Sequence, residues 1–112
     1  ITSGYQLQGQ DAFPSKLKLK LHTYGYSDIT MFNMGDNGMT TARATEAIKD
    51  VASKIPDVVI LQLGFNDAKI GVLSSAVFYN LHTILLELKK TGAYIIKLNT
   101  ENGLVNKKII IE

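Results

Sequence analysis

The chain of 112 residues contains no cysteine. That removes disulfides, thiolate chemistry and cysteine-based zinc sites, and leaves cytoplasm and periplasm equally open. No apolar run approaches membrane-spanning length, so stable membrane insertion is not expected, and no signal peptide is visible. Charge of one sign is scarce as well. The net charge is +2, and only Lys16, Lys18 and Lys20 form a local cluster. Neither aromatic residues nor arginines interleave with these lysines, so they read as a solvated face and nucleic acid is not an expected partner. There are two histidines, His22 and His82. With 46% hydrophobic and 20% charged residues, the chain has material for one core and one domain. It shows no linker, internal repeat or low-complexity tract.

What is present centres on Val58-Val59-Ile60-Leu61-Gln62-Leu63 followed by Gly64-Phe65-Asn66-Asp67. The run reads as a fully buried parallel strand that ends in a glycine and two short polar side chains. In open α/β sheets, ligands and chemistry gather at the carboxyl ends of strands. Gly64 permits a tight turn, and Asn66 is able to aim a carboxamide N–H at developing negative charge; equally, Gly, Asn and Asp are ordinary turn residues. A second polar cluster lies upstream, where Asp28-Ile29-Thr30-Met31-Phe32-Asn33 reads as a short strand running into Met34-Gly35-Asp36-Asn37-Gly38. Two strands ending in Gly/Asn/Asp loops with a helix between them look like a βαβ unit.

This arrangement, Asn33 to Gly38 and then Leu63-Gly64-Phe65-Asn66-Asp67, resembles the SGNH hydrolases, also called GDSL esterases. The match is to the branch of arylesterases and acyl-CoA thioesterases with lysophospholipase activity. Ile1-Thr2-Ser3-Gly4-Tyr5 matches the residues that come directly after the serine of that family's Gly-Asp-Ser motif. The resemblance therefore implies that the nucleophile precedes Ile1, and that Ser3 is an ordinary loop or N-cap serine. It also implies a base from an Asp-x-x-His motif, and no histidine comes after Tyr94. By position, Gly38 and Asn66 correspond to the oxyanion-hole donors. The implied fold is α/β: a flavodoxin-like three-layer α/β/α parallel sheet, here partial, as one domain over residues 1–112. The resemblance covers about residues 1–98 and leaves 99–112 unassigned; Asn102-Gly103 there suits a hairpin turn.

The remaining elements are read from periodicity and caps. Asp11 reads as a helix cap with Pro14 in the first turn. Leu17, Leu19 and Leu21 alternate with lysines like a strand, whereas Phe13, Leu17 and Leu21 share one helical face; the resemblance selects the helix. Thr40 or Thr41 caps the next helix, whose stripe is Ala47, Ile48, Val51 and Ile55, stopped by Pro56. Ser74 and Ser75 are expected to cap a third helix with Val77, Leu81, Ile84, Leu85 and Leu88 on one face, ending at Thr91-Gly92. Tyr94 to Leu98 reads as the next parallel strand.

The function implied by the resemblance is serine ester hydrolysis through an acyl-enzyme, on a small-molecule ester or thioester, with no metal or organic cofactor. The expected roles of Asp67 and Asn37 are to hold their loops in shape, and Phe65, Ile70 and Met39 are pocket candidates by proximity. His22 reads as exposed and His82 as a core-edge or surface histidine. With neither nucleophile nor base among its residues, the chain as it stands is expected to be inactive. The alternative is a catalytically inactive α/β fragment or a flavodoxin-like module binding a small ligand.

Overall fold

The computed structural model describes residues 8–97. Ile1 to Tyr5, including Ser3, lie outside the described residues, as do Leu98, the Asn102-Gly103 turn and the rest of 98–112. The chain divides into two compact units, Ile1–Gly38 and Met39–Glu112.

In the first unit a 3-10 turn over Gly9–Asp11 leads into helix α1, Phe13–Thr23. The N-cap is Ala12 and not Asp11, because the turn places Asp11 one residue too early. Asp11 instead pairs with Lys16 at 3.1 Å on the surface. Pro14 falls in the first turn, where its missing N–H has no intrahelical partner to lose. Burial explains why helix prevails over strand. Leu17 and Leu21 are half-buried while Leu19 is 62% exposed, and a strand would turn all three to one face. Tyr26 N–H reaches Leu21 C=O at 3.0 Å and Gly25 N–H reaches His22 C=O at 3.0 Å, closing the helix end.

Residues 26–36 carry neither helix nor strand, which corrects the expectation of a strand at Asp28 to Asn33. An extended run becomes a strand only where a neighbour supplies ladder hydrogen bonds. The sheet of the described residues has two strands, and this segment is in neither.

The second unit holds helix α2 (Thr41–Ser53), strand β1 (Val58–Leu61), a short helix α3 (Phe65–Lys69), helix α4 (Ser74–Lys89) and strand β2 (Tyr94–Lys97). The Thr40 hydroxyl caps α2 by accepting from Arg43 N–H at 3.3 Å. The residue before a proline is kept out of the right-handed helical region; Ile55, before Pro56, sits at φ +47°. No serine caps α4. Its N-cap is Leu73, and Ser74 is already the first helical residue.

Strands β1 and β2 pair in parallel, Val58 opposite Tyr94 and Leu61 opposite Lys97. A parallel pair needs a crossover, and α3 and α4 supply it. The core is Ala44 and Ile48 of α2, Ile84 and Leu88 of α4, and Ile95 of β2, with Met39, Val51, Val59, Leu61, Leu63 and Leu85 packed against it. Ile84 and Leu88 are fully buried, a state that stabilises by about 1.5–3 kcal/mol for each such side chain relative to exposure. Two expectations about burial are corrected. Ala44, and not Ala47, faces the core, and Ile55 is 77% exposed because the helix has ended before it. Strand β1 is shorter than expected and half-buried, not fully buried, with Val58 51% exposed and Tyr94 48% exposed. The pleat turns Val59, Leu61 and Ile95 to the helices and Val58 and Tyr94 to the other face of the sheet.

Candidate functional site

Beyond Leu61 the chain leaves the sheet through Gln62 and Leu63 and turns at Gly64, whose φ of +107° places it in a region that L side chains rarely occupy. That glycine is the N-cap of α3, so Asn66 and Asp67 are not loop residues. They lie in the first turn of a helix that begins at the carboxyl end of β1.

Asp67 is 1% exposed and is the only charged side chain buried among the described residues. Its carboxylate faces the start of α2. Thr41 N–H donates to Oδ2 at 2.9 Å and to Oδ1 at 3.2 Å, and Thr41 Oγ1–H donates to Oδ1 at 2.6 Å. The first N–H groups of a helix have no intrahelical acceptors and carry partial positive charge. A carboxylate here satisfies one of them and gains from the dipole, and hydrogen bonds to a charged acceptor are the stronger kind.

Thr41 is itself fully buried. Its single hydroxyl proton is committed to Asp67, so its lone pairs are left to accept, and Asn80 Nδ2 of α4 donates to Thr41 Oγ1 at 3.1 Å. One hydroxyl thus joins α2, α3 and α4. Asn66 is tied in parallel, with Nδ2 donating to the Met39 carbonyl at 2.9 Å. A carbonyl oxygen accepts only, so the bond fixes which end of the carboxamide is nitrogen. One N–H of that nitrogen is used on Met39.

Gly38 is the last residue of the first unit, in a turn with Asn37, at φ +70°. Upstream, Asn33 Oδ1 accepts from Gly35 N–H at 3.0 Å, a local Asx turn. His22 on α1 and His82 on α4 are both exposed. Of the pocket candidates, Met39 packs against the core, whereas Phe65 and Ile70 are 64% and 67% exposed. Among the described residues no cluster of His, Cys, Asp or Glu is arranged to hold a metal ion, and no helix is long and apolar enough to cross a membrane.

Sequence reasoning missed Thr41 as a partner of Asp67, and it missed Asn80 entirely. A signal for Asn80 was present. It lies three residues after Val77 and four before Ile84, on the apolar face of α4, where a carboxamide needs a partner.

No family model matches the chain. Over 97 residues it is 28% identical to an arylesterase of Vibrio mimicus, covering 86% of this chain and 48% of that protein. Two solved structures of the esterase AlinE4, a serine-to-alanine and an aspartate-to-alanine variant, share its fold with a TM-score of 0.81 at 31% identity. Each match covers 87% of this chain and 52% of the solved one. These likenesses in sequence and in fold support an SGNH (GDSL) esterase-type family for the chain. It spans about half the length of the relatives it matches. The helices and parallel strands described above are a partial α/β fold of the SGNH type, in which the Gly64-Phe65-Asn66-Asp67 segment sits at the carboxyl end of β1.

Proposed function

We propose that this SGNH-type chain is part of a serine ester hydrolase of the carboxylesterase, thioesterase or lysophospholipase kind, with Gly38 N–H and the Asn66 carboxamide as oxyanion-hole donors. The observation that carries the reading is the Asn66 carboxamide, held by the bond from its Nδ2 to the Met39 carbonyl in the first helical turn after β1. Kinship with proteins named esterase and arylesterase supports the reaction class. The nucleophilic serine is assigned to the position before Ile1, and the aspartate and histidine to an Asp-x-x-His motif that is not among these residues.

In this mechanism the serine oxygen adds to the ester or thioester carbonyl carbon as the histidine takes its proton. The carbonyl oxygen becomes an anion, and the donors stabilise it where it forms. Collapse expels the alcohol or thiol with that proton and leaves the acyl-enzyme, which water then hydrolyses by the same steps. Preorganised N–H groups act mainly on charge that exists in the transition state, so they govern turnover more than substrate binding.

The test joins these 112 residues to two motifs of the SGNH hydrolases, Gly-Asp-Ser ahead of Ile1 and an Asp-x-x-His segment in place of residues 99–112. Hydrolysis of short-chain p-nitrophenyl esters is expected to appear in the joined protein. In the joined protein Asn66→Ala lowers kcat by about a hundredfold or more, with KM little changed, as loss of one oxyanion donor does elsewhere. A raised KM with unchanged kcat would make Asn66 a binding or turn residue and end this assignment.

A further inference from the structure

The three-helix junction at Thr41 is built more heavily than a turn requires. Asp67 accepts three hydrogen bonds from one residue, the hydroxyl of that residue accepts a fourth from Asn80, and Asp67 and Thr41 are essentially inaccessible to water. Asp67 is bonded directly behind Asn66 in the same helical turn. Helix α3 has five residues, too few to hold its shape by its own hydrogen bonds, so the direction of the Asn66 side chain depends on what anchors the helix from outside.

We propose that Thr41, Asp67 and Asn80 are positioning residues for Asn66: the Asp67 carboxylate locks α3 onto the first turn of α2, Asn80 fixes the Thr41 hydroxyl that completes the lock, and the Asn66 carboxamide is thereby held with one N–H on Met39 and the other presented. The direction of every bond supports this. A carboxylate accepts only, so the Thr41 hydroxyl must donate to it. The hydroxyl has one proton, so it must accept from Asn80, and Asn80 must turn its nitrogen inward. The chain of donors admits one arrangement, which is what a preorganised donor needs, since a donor free to rotate must be oriented during the reaction. The inference rests on the oxyanion reading of Asn66 and extends it to the groups that hold Asn66 still.

The experiment uses the chain of 112 residues, labelled with ¹⁵N, and reads the side-chain NH₂ signals of Asn66 together with backbone amide exchange. Thr41→Val removes the hydroxyl, keeps the shape of the side chain and leaves Thr41's backbone N–H in place, so the unit is expected to stay folded. In that variant the two Asn66 NH₂ protons are expected to converge toward solvent-like shifts and to exchange about tenfold faster or more, the population change expected from loss of one buried hydrogen bond. The backbone amides of Ile84 and Leu88 are expected to keep their protection, and Thr41→Ser to restore the Asn66 signals. Asn80→Ala, at the less buried end of the network, is expected to give a smaller change of the same kind, and it serves should Thr41→Val fail to fold.

Asn66 signals unchanged in both Thr41→Val and Asn80→Ala would overturn the proposal. So would Ile84 and Leu88 amides that lose protection in step with Asn66, because the network would then brace the whole unit and not the carboxamide. The readout needs no ester, so the two readings can fail separately. A held carboxamide in a joined protein whose kcat ignores Asn66→Ala removes the oxyanion role, while a strong kinetic effect with a carboxamide indifferent to Thr41 removes the positioning role.

Discussion

The chain writes nearly the same polar vocabulary twice, as Asn33 to Gly38 and as Gly64 to Asp67, and folding treats the two differently. In the first, Asn33 bonds a backbone N–H two residues away and the aspartate, Asp36, is exposed. In the second, Asn66 bonds a carbonyl 27 residues away, and Asp67 bonds Thr41 across 26 residues while 1% exposed. Short polar residues beside glycine announce a change of chain direction in both places. Burial is what separates the two: Asn33 and Asp36 stay exposed, whereas the bonds of Asp67 are made in a dry site, where long-range partners cost loop entropy and must be matched by desolvated, well-directed bonds.

The sharpest way to break this contrast is Asp67→Ala. It removes three hydrogen bonds and strands the Thr41 N–H and hydroxyl in a dry site. The expected loss is about 3 kcal/mol or more, the range for buried polar groups left without partners, read as a lowered urea midpoint with an unchanged slope. A loss below about 1 kcal/mol would mean that water replaces the carboxylate and that the site is wetter than its burial implies.

The two glycines rank second. A Cβ at either Gly64 or Gly38 would meet nothing within 4 Å, so Gly→Ala isolates backbone strain from steric clash. Gly64, at φ +107°, lies beyond the left-handed helical well, and Gly64→Ala is expected to cost about 2 kcal/mol. Gly38, at φ +70°, lies near that well, and Gly38→Ala is expected to cost about 1 kcal/mol. The order of the two thermal midpoints is the measurement, and an inverted order would deny the strain argument. The smallest effect belongs to the local turn. Asn33→Ala removes an exposed bond to Gly35 and is expected to cost about 0.5–1 kcal/mol, with no change in the Asn66 side-chain signals.

Much of this architecture is legible without the structure. The helical spacing of Val77, Leu81, Ile84, Leu85 and Leu88 locates α4 and its face, Pro56 marks the end of α2, and the apolar runs at Val58 and Tyr94 locate the paired strands. Local chemistry dominates such features: periodicity, a ring that blocks the helical conformation, and side chains that prefer a pleated surface. The misreadings share one physical cause. Asp11, Ser74 and Ser75 have the right chemistry for caps, but capping depends on where a helix enters its packing, and Ala12 and Leu73 occupy those positions. Asp28 to Asn33 has the composition of a strand but is in neither strand of the sheet formed by the described residues.

By itself the sequence determined the periodic elements, the turn at Gly64 and the kinship of its motifs to the SGNH esterases, because each depends on residues close together in the chain or on their order along it. Tertiary structure alone decided that Asp67 is a buried acceptor and not a turn residue, that Thr41 is its donor and that Asn80 completes the junction. These residues are up to 39 positions apart, and only the packing of α2 against α4 brings their polar atoms within hydrogen-bonding distance and excludes the water that would otherwise satisfy them.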